Sequence, residues 1–387
     1  LKYIILTASL LSQICLGGLY AWSAFVPALK SSYGLSTSET QLIFGLLIAV
    51  FTLTMVPAGR LLESSGPRLP MILSGLLFGV GYLIASFSGG AFVWLLLGFG
   101  VVAGTATGFG YPCPLSACIE WFPRHKGLVT GIAVAGIGAG AIVLTSLVEK
   151  PLERGTDVLL IFRWIGAVYG SIILLAGVLM RYPAERCHKH TDSASLTGFP
   201  GRDPFFWAMT CAMFCGTFAG LLVIGNLMPM ALASGIQPVG ASYAISAFAV
   251  GNAAGRITWG LVVDRKKADS IQMSLGFLAL ALIGLLWNVS NAAYFALISL
   301  LTGFGFGACF VIHAALVGTR YGASRFGRIY PPIFLAYGLA GIAGPAIGGW
   351  LFDRTGSYGA AIVLSIAVVL TGLLICGLLL KRSQHNP

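Results

Sequence analysis

Arg256 stands where cations are rare, in the otherwise uncharged stretch 241–263, seven residues from its basic end at Asp264-Arg265-Lys-Lys267. At 1.5 Å per residue it lies roughly 10 Å deep, and a guanidinium at mid-helix costs on the order of 3 kcal/mol even on the lenient insertion scale. The group stays charged at any relevant pH and offers a planar fork of N–H donors. Residue type and place therefore suit the capture of a carboxylate through two parallel N–H···O bonds. The alternative is an arginine that snorkels or satisfies backbone carbonyls. Asn252, one turn away on the same helix face, either donates to the anion or orients the guanidinium.

Polar and aromatic residues at comparable depth complete the candidate pocket. Tyr111 and Tyr337, eight and nine residues from the ends of their stretches, bring hydroxyls near the guanidinium level, or pack with the hydroxyl on a backbone carbonyl. Tyr20, Gln13 and Asn226 are further polar candidates, and Phe306 and Phe310, a turn apart, suit the apolar wall of a small pocket. His313 is the single histidine within an apolar stretch and titrates near neutrality. It is a candidate proton-coupling site, with a hydrogen-bonded neutral ring near the interface as the other reading. A third route carries the proton through the cavity or on the substrate and needs no protein acid.

The elements that must position these residues follow from composition. The 387 residues are 57% apolar and 9% charged, with a mean hydropathy of +0.90, which fits no water-soluble globule. A hydrocarbon core about 30 Å thick asks for roughly 20 apolar residues per helix. That rule predicts twelve transmembrane helices at 3–29, 40–62, 69–89, 91–119, 127–148, 158–180, 204–230, 241–263, 270–288, 292–318, 328–351 and 358–380. The fold class expected is an all-α polytopic membrane protein. Leu1 is not a start methionine, so a few residues are expected to precede it, and the first apolar run reads as a retained helix rather than a signal peptide. Pro57, Pro112, Pro114 and Pro229 are placed to break helix regularity where gates bend.

Loop charges orient the chain. Seventeen Lys and Arg fall on the side of the termini and five on the other, so both termini are expected in the cytoplasm. Arg256 is the one cation of 23 that this division leaves over, while all twelve acids fall at helix ends or in loops. The net charge of +11 reads as topogenic; no basic patch on a soluble domain suggests nucleic acid. Eight scattered cysteines give no pairing and no metal spacing, and Cys211 and Cys215, four apart on one helix, read as packing. Neither catalytic residues nor a cofactor nor a metal is expected. The glycine runs at 136–140 and 303–307 lie in apolar stretches without a preceding strand and read as close helix packing.

The longest polar stretch, 181–203, divides the chain into an N-terminal bundle, 1–180, a cytoplasmic linker, 181–203, and a C-terminal bundle, 204–387. Thr107-Gly-Phe-Gly-Tyr111 recurs as Thr302-Gly-Phe-Gly-Phe306, and Gly59-x-x-x-Glu63 as Gly260-x-x-x-Asp264, at offsets of 195 and 201. Two motifs at nearly one offset argue for two pseudo-symmetric six-helix bundles, the architecture of secondary transporters. At offset 201 the mate of Arg256 is Met55, so the repeat needs no charge there for packing.

The chain here resembles the major facilitator superfamily. Gly59-Arg-Leu-Leu-Glu63-Ser-Ser-Gly66-Pro-Arg68 is similar to its loop signature, with Glu63 for Asp and Ser64 for Arg, which implies that Gly59, Glu63, Gly66 and Arg68, with Asp264 and Arg265 in the second half, form its conformational loop motif. Trp121-Phe-Pro-Arg-His-Lys-Gly127 with Thr130-Gly-Ile-Ala-Val-Ala-Gly136, Asp203-Pro-Phe-Phe-Trp207 and Gly349-Trp-Leu-Phe-Asp353 resemble the oxalate:formate antiporter and monocarboxylate porter group. The resemblance implies alternating access around a midplane site. The proton-linked porters carry an Asp four residues before the Arg, where this chain has Asn252, and the oxalate carrier has a Lys where this chain has Tyr337. One buried cation balances a monoanion, so lactate, pyruvate, acetate or formate is expected ahead of oxalate, with a co-transported proton. Oxalate:formate exchange is the rival within transport, and a transporter-like ligand sensor the rival outside it. A monomer in a bacterial inner membrane is expected.

Overall fold

A computed structural model describes residues 1–35, 37–183, 201, 203–287 and 290–385. Most of the linker expected over 181–203, with Cys187, His188 and Arg202, lies outside the described residues. Among the described residues the regular structure is entirely helical, as lipid requires of a chain with no closed barrel, because no water is present to satisfy open backbone groups.

A helix occupies each of the twelve predicted places. The first is interrupted: α1 (Lys2–Gly17) passes through a 3₁₀ turn at Gly18–Ala21 into α2 (Trp22–Tyr33), which ends at Gly34 with φ 70°. Then come α3 (Thr37–Ser65) and α4 (Arg68–Ser86), joined by Gly66 at φ 74°, a conformation that favours glycine. The fourth rod is composite, with α5 (Phe92–Leu95), a π-helical segment Leu96–Ala103, α6 (Gly104–Gly110) and α7 (Pro112–Trp121). Pro112 and Pro114 lack N–H groups and loosen the ladder at that join. There the buried Gln13 enters, its Nε2 donating to Tyr111 O at 3.2 Å. The remaining helices are α8 (Lys126–Glu153), α9 (Val158–Leu179), α10 (Pro204–Ala233), α11 (Pro238–Lys266), α12 (Asp269–Gly284), α13 (Ala292–Arg320), α14 (Ala323–Thr355) and α15 (Gly359–His385). Asp157 and Asp203 cap α9 and α10 by accepting from Leu159 N and Phe205 N, each at 2.9 Å.

Ten of these rods are long and apolar enough to cross a membrane. The other two are α12, sixteen residues long, and α11, in which Arg256, Asn252 and several small residues dilute the hydropathy. Large apolar side chains such as Leu280, Trp164, Leu374 and Ile342 are exposed, the inverse of a soluble surface.

The chain forms two compact units. One comprises Leu1–Thr197 with Gly318–Pro331, the other Gly198–Val317 with Pro332–Pro387. In the first, α4 packs on α9, α1 on α8, and α3 on α6 around a cluster of Phe78, Tyr82, Phe99 and Phe162. Tyr33 Oη donates to Asp157 Oδ1 at 2.7 Å, tying α2 to the start of α9; desolvation and that carboxylate push the hydroxyl up to about 12. The first unit also contains the end of α13 and the start of α14. Lys126 Nζ donates to Gly318 O at 3.2 Å, and Gly59 meets Gly327 so closely that neither has room for a Cβ. In the second unit α10 packs on α15 and α11, and α12 on α15.

The sequence repeat is visible as repeated packing. Thr107 Oγ1 donates to Ala103 O at 2.9 Å and Thr302 Oγ1 to Ile298 O at 2.8 Å. Gly108 lies against Phe51 O, and Gly303 against Phe248 O. Phe51 then meets Tyr111 with ring centroids 5.5 Å apart, and Phe248 meets Phe306 at 5.8 Å.

Candidate anion site around Arg256

Small residues set the geometry of the second unit. On α11 Gly251 and Gly255 face Leu300 and Phe304; on α13 Gly303 and Gly307 face Phe248 and Asn252. Four glycines at four-residue spacing bring two backbones together as branched side chains would not allow. A Cβ on Gly307 would lie 3.1 Å from Arg256 N and closer still to Asn252 O. The helix face bearing Asn252 and Arg256 is thus pressed against α13, which carries Phe306 and Phe310.

Arg256 is 4% exposed and, among the described residues, is the only Lys, Arg, Asp or Glu side chain that is buried. Its Nε donates to Asn252 Oδ1 at 3.1 Å. Of the two roles open to Asn252, the structure displays the orienting one. The guanidinium lies over the Phe310 ring, 4.6 Å from the centroid, a cation–π contact worth about 0.5–2 kcal/mol. Nε and one face of the guanidinium plane are engaged in this way.

Phe310 is the hub of an aromatic cluster. Its ring lies 5.2 Å from Phe306, 5.3 Å from Tyr337 and 6.2 Å from Phe334, and Phe334 is 5.0 Å from Tyr337. Five residues singled out from the sequence therefore come together: Arg256, Asn252, Phe306, Phe310 and Tyr337. Phe334 and Phe248 belong to the same cluster and were missed; Phe334 precedes Tyr337 by three residues, a spacing that shares a helix face.

The other candidates lie elsewhere. Asn226 is buried on α10, where its Nδ2 donates to Leu222 O at 2.9 Å and to Pro345 O at 3.3 Å, joining α10 to α14. Tyr111 is buried in the first unit, in edge contact with Phe51, and Tyr20 sits in the 3₁₀ turn between α1 and α2. His313 is 3% exposed, with Nδ1 2.6 Å from Cys309 O. A carbonyl only accepts, so Nδ1 carries the hydrogen, and Nε2 makes no hydrogen bond. Glu63 lies in the last turns of α3 and Arg68 opens α4 across the Gly66 turn, while Asp264 and Arg265 close α11. Cys211 and Cys215 have sulfurs 3.9 Å apart, and no group of three or more metal-ligating residues occurs among the described residues.

The profile of the Major Facilitator Superfamily matches residues 8–231 and 209–387. Curated relatives include an MFS-type transporter, YhjX, of Escherichia coli, 27% identical and covering 88% of this chain and 86% of its own. The oxalate:formate antiporter of Oxalobacter formigenes is 25% identical over 94% of this chain and 88% of its own, and monocarboxylate transporter 12 of Xenopus laevis is 24% identical over 94% and 86%. Among solved structures, the superfamily transporter FucP in the outward conformation superposes with a TM-score of 0.75 at 16% identity, covering 98% of this chain and 99% of that one. These relatives are transporters rather than enzymes, and the fold is theirs.

Proposed function

The chain belongs to the major facilitator superfamily, and on that footing we propose that it carries a small monocarboxylate of the lactate, pyruvate or acetate type across the membrane, by alternating access and together with a proton. The observation that carries this reading is the one buried charged side chain among the described residues, Arg256, aimed by a neutral amide and backed by an aromatic ring. A single cation is neutralised by a monoanion. A loaded, neutral site costs less to bury than an empty cationic one, so substrate binding itself favours occlusion. Phe306, Phe310 and Tyr337 supply the apolar wall for a short carbon skeleton.

His313 is the proton site of this proposal. With its hydrogen on Nδ1, it presents Nε2 as the ring nitrogen at which a proton is taken up. We assign the bundles to 1–180 and 204–387, joined by the linker 181–203, with both termini cytoplasmic in a bacterial inner membrane. The charge bias of the loops supports that orientation, and the relatives from Escherichia coli and Oxalobacter support that membrane. The carrier acts as a monomer.

Likeness to the oxalate:formate antiporter over 94% of the chain favours one second reading, the exchange of oxalate for formate. Both are tested by thermal shift of the purified protein with lactate, pyruvate, acetate, formate and oxalate, beside Arg256→Ala and Arg256→Lys. Stabilisation of the parent by a monocarboxylate, weakened in the Lys variant and absent in the Ala variant, supports the proposal. Stabilisation by oxalate at micromolar levels favours the exchanger, and an Ala variant stabilised like the parent refutes both. Uptake into proteoliposomes driven by an inward proton gradient, lost in His313→Gln while ligand binding persists, tests the coupling.

A further inference from the structure

The first unit has a groove between α4 and α9 that is no part of the site around Arg256. Its helices α4 and α9 cross through glycines: a Cβ on Gly75 would lie 2.6 Å from Leu174 N, one on Gly166 2.7 Å from Tyr82 Cβ, and one on Gly170 3.2 Å from Gly79 Cα. Backbones this close leave no side chains to fill the outer side of the seam. The result is a groove of about 540 Å³, walled by Leu76, Val80 and Leu83 on α4 and by Ala167, Leu174 and Leu175 on α9. Leu76, Val80, Leu83 and Leu175 are all exposed.

Arg163 closes one end. Its guanidinium lies over the Phe87 ring at 4.5 Å, and the exposed Trp164 beside it marks the level as an interfacial belt. From Arg163 to Leu175 the helix rises about 18 Å at 1.5 Å per residue, close to the depth of one leaflet of a core about 30 Å thick. The lining consists of Gly, Ala, Val, Leu, one Ser and Arg163, with no acid, so the groove carries one positive charge at its mouth and none along its length.

We propose that this groove binds an anionic phospholipid, its phosphate on Arg163 and one acyl chain along the glycine seam. Length, apolarity and charge match such a lipid together. A zwitterionic lipid would leave the Arg163 charge unbalanced. A second copy of the chain fits less well, because a two-fold axis along the membrane normal would bring two Arg163 side chains to the same level.

The test is native mass spectrometry of the full chain in detergent with phosphatidylglycerol or phosphatidylethanolamine, on the parent, Arg163→Gln, Gly79→Leu and Gly79→Ala. Gly79 suits the design because a Cβ there meets only Gly166 O, at 3.6 Å, so a longer side chain enters the groove without parting the helices. The parent is expected to bind phosphatidylglycerol at least fivefold more tightly than phosphatidylethanolamine. Arg163→Gln equalises the two, Gly79→Leu weakens both, and Gly79→Ala binds as the parent does. Equal binding of both lipids by the parent, unchanged selectivity in Arg163→Gln, or a dimer that Gly79→Leu dissociates in place of a bound lipid would each overturn the proposal. Should Gly79→Leu fail to fold, the Arg163→Gln comparison decides alone.

Discussion

Arg256 Nε donates to Asn252 Oδ1 at 3.1 Å, one helical turn away, so the buried cation is aimed by a neutral neighbour. A carboxylate in that place would neutralise the guanidinium internally and compete with any bound anion. Asn252→Asp is therefore expected to raise the monocarboxylate Kd at least tenfold, about 1.4 kcal/mol. Asn252→Ala, which removes one orienting hydrogen bond worth about 1 kcal/mol, raises it only severalfold. Isothermal titration on the purified variants distinguishes the two. An Asp variant that binds like the parent would remove the anion from this end of α11.

The Phe310 ring faces the guanidinium at 4.6 Å, whereas Phe334 touches Phe310 and Tyr337. Loss of a cation–π contact of about 0.5–2 kcal/mol corresponds to roughly twofold to thirtyfold in affinity. Phe310→Leu should fall in that range, with Phe334→Leu close to the parent. The same titration measures both, and equal effects would mean that the cluster contributes packing alone.

How much of this was legible beforehand depended on which physical signal each feature emits. The twelve rods were readable because a bilayer imposes one length and one polarity on each, and Arg256 because counting loop charges leaves it over. Hydropathy is blind to helix type, so the 3₁₀ turn at Gly18–Ala21 and the π segment at Leu96–Ala103 gave no sign. Phe248 and Phe334 were hidden among 24 phenylalanines in a chain where apolar residues point everywhere. Asn226 reads from the sequence as a polar candidate in an apolar helix, but only the folded structure tells that its hydrogens go to Leu222 O and Pro345 O.

Gly307 has no chemistry of its own, yet it sets how closely α13 approaches Asn252 and Arg256. A methyl group there must push the helices apart, and overpacking of this kind costs about 1–3 kcal/mol. Gly307→Ala and Gly307→Val are expected to lower the Tm progressively and to weaken anion binding in step. Gly45→Ala is the control: a Cβ there meets nothing within 4 Å, so helix propensity alone applies, a gain of up to about 1 kcal/mol. A tolerated Gly307→Val, read by thermal melting in detergent, would mean that the α11–α13 seam yields freely.

Charge balance at the site makes a sharper demand. Tyr337 is 4% exposed and its ring is 5.3 Å from Phe310, which faces Arg256, so a cation at 337 would share the anion's surroundings. In Tyr337→Lys the site holds two positive charges if the amine is protonated, and a dianion then neutralises what a monoanion leaves half balanced. Oxalate should stabilise this variant at concentrations at least tenfold below those needed for lactate, reversing the order expected of the parent. Burial favours the neutral amine, so the reversal should strengthen as the pH falls and the ammonium fills. Tyr337→Phe separates the added charge from the lost hydroxyl and should keep the parent's order. Thermal shift against both ligands across pH reads all of this at once, and a folded Tyr337→Lys that still prefers the monoanion at its lowest stable pH would break the link between the number of buried cations and the charge of the cargo.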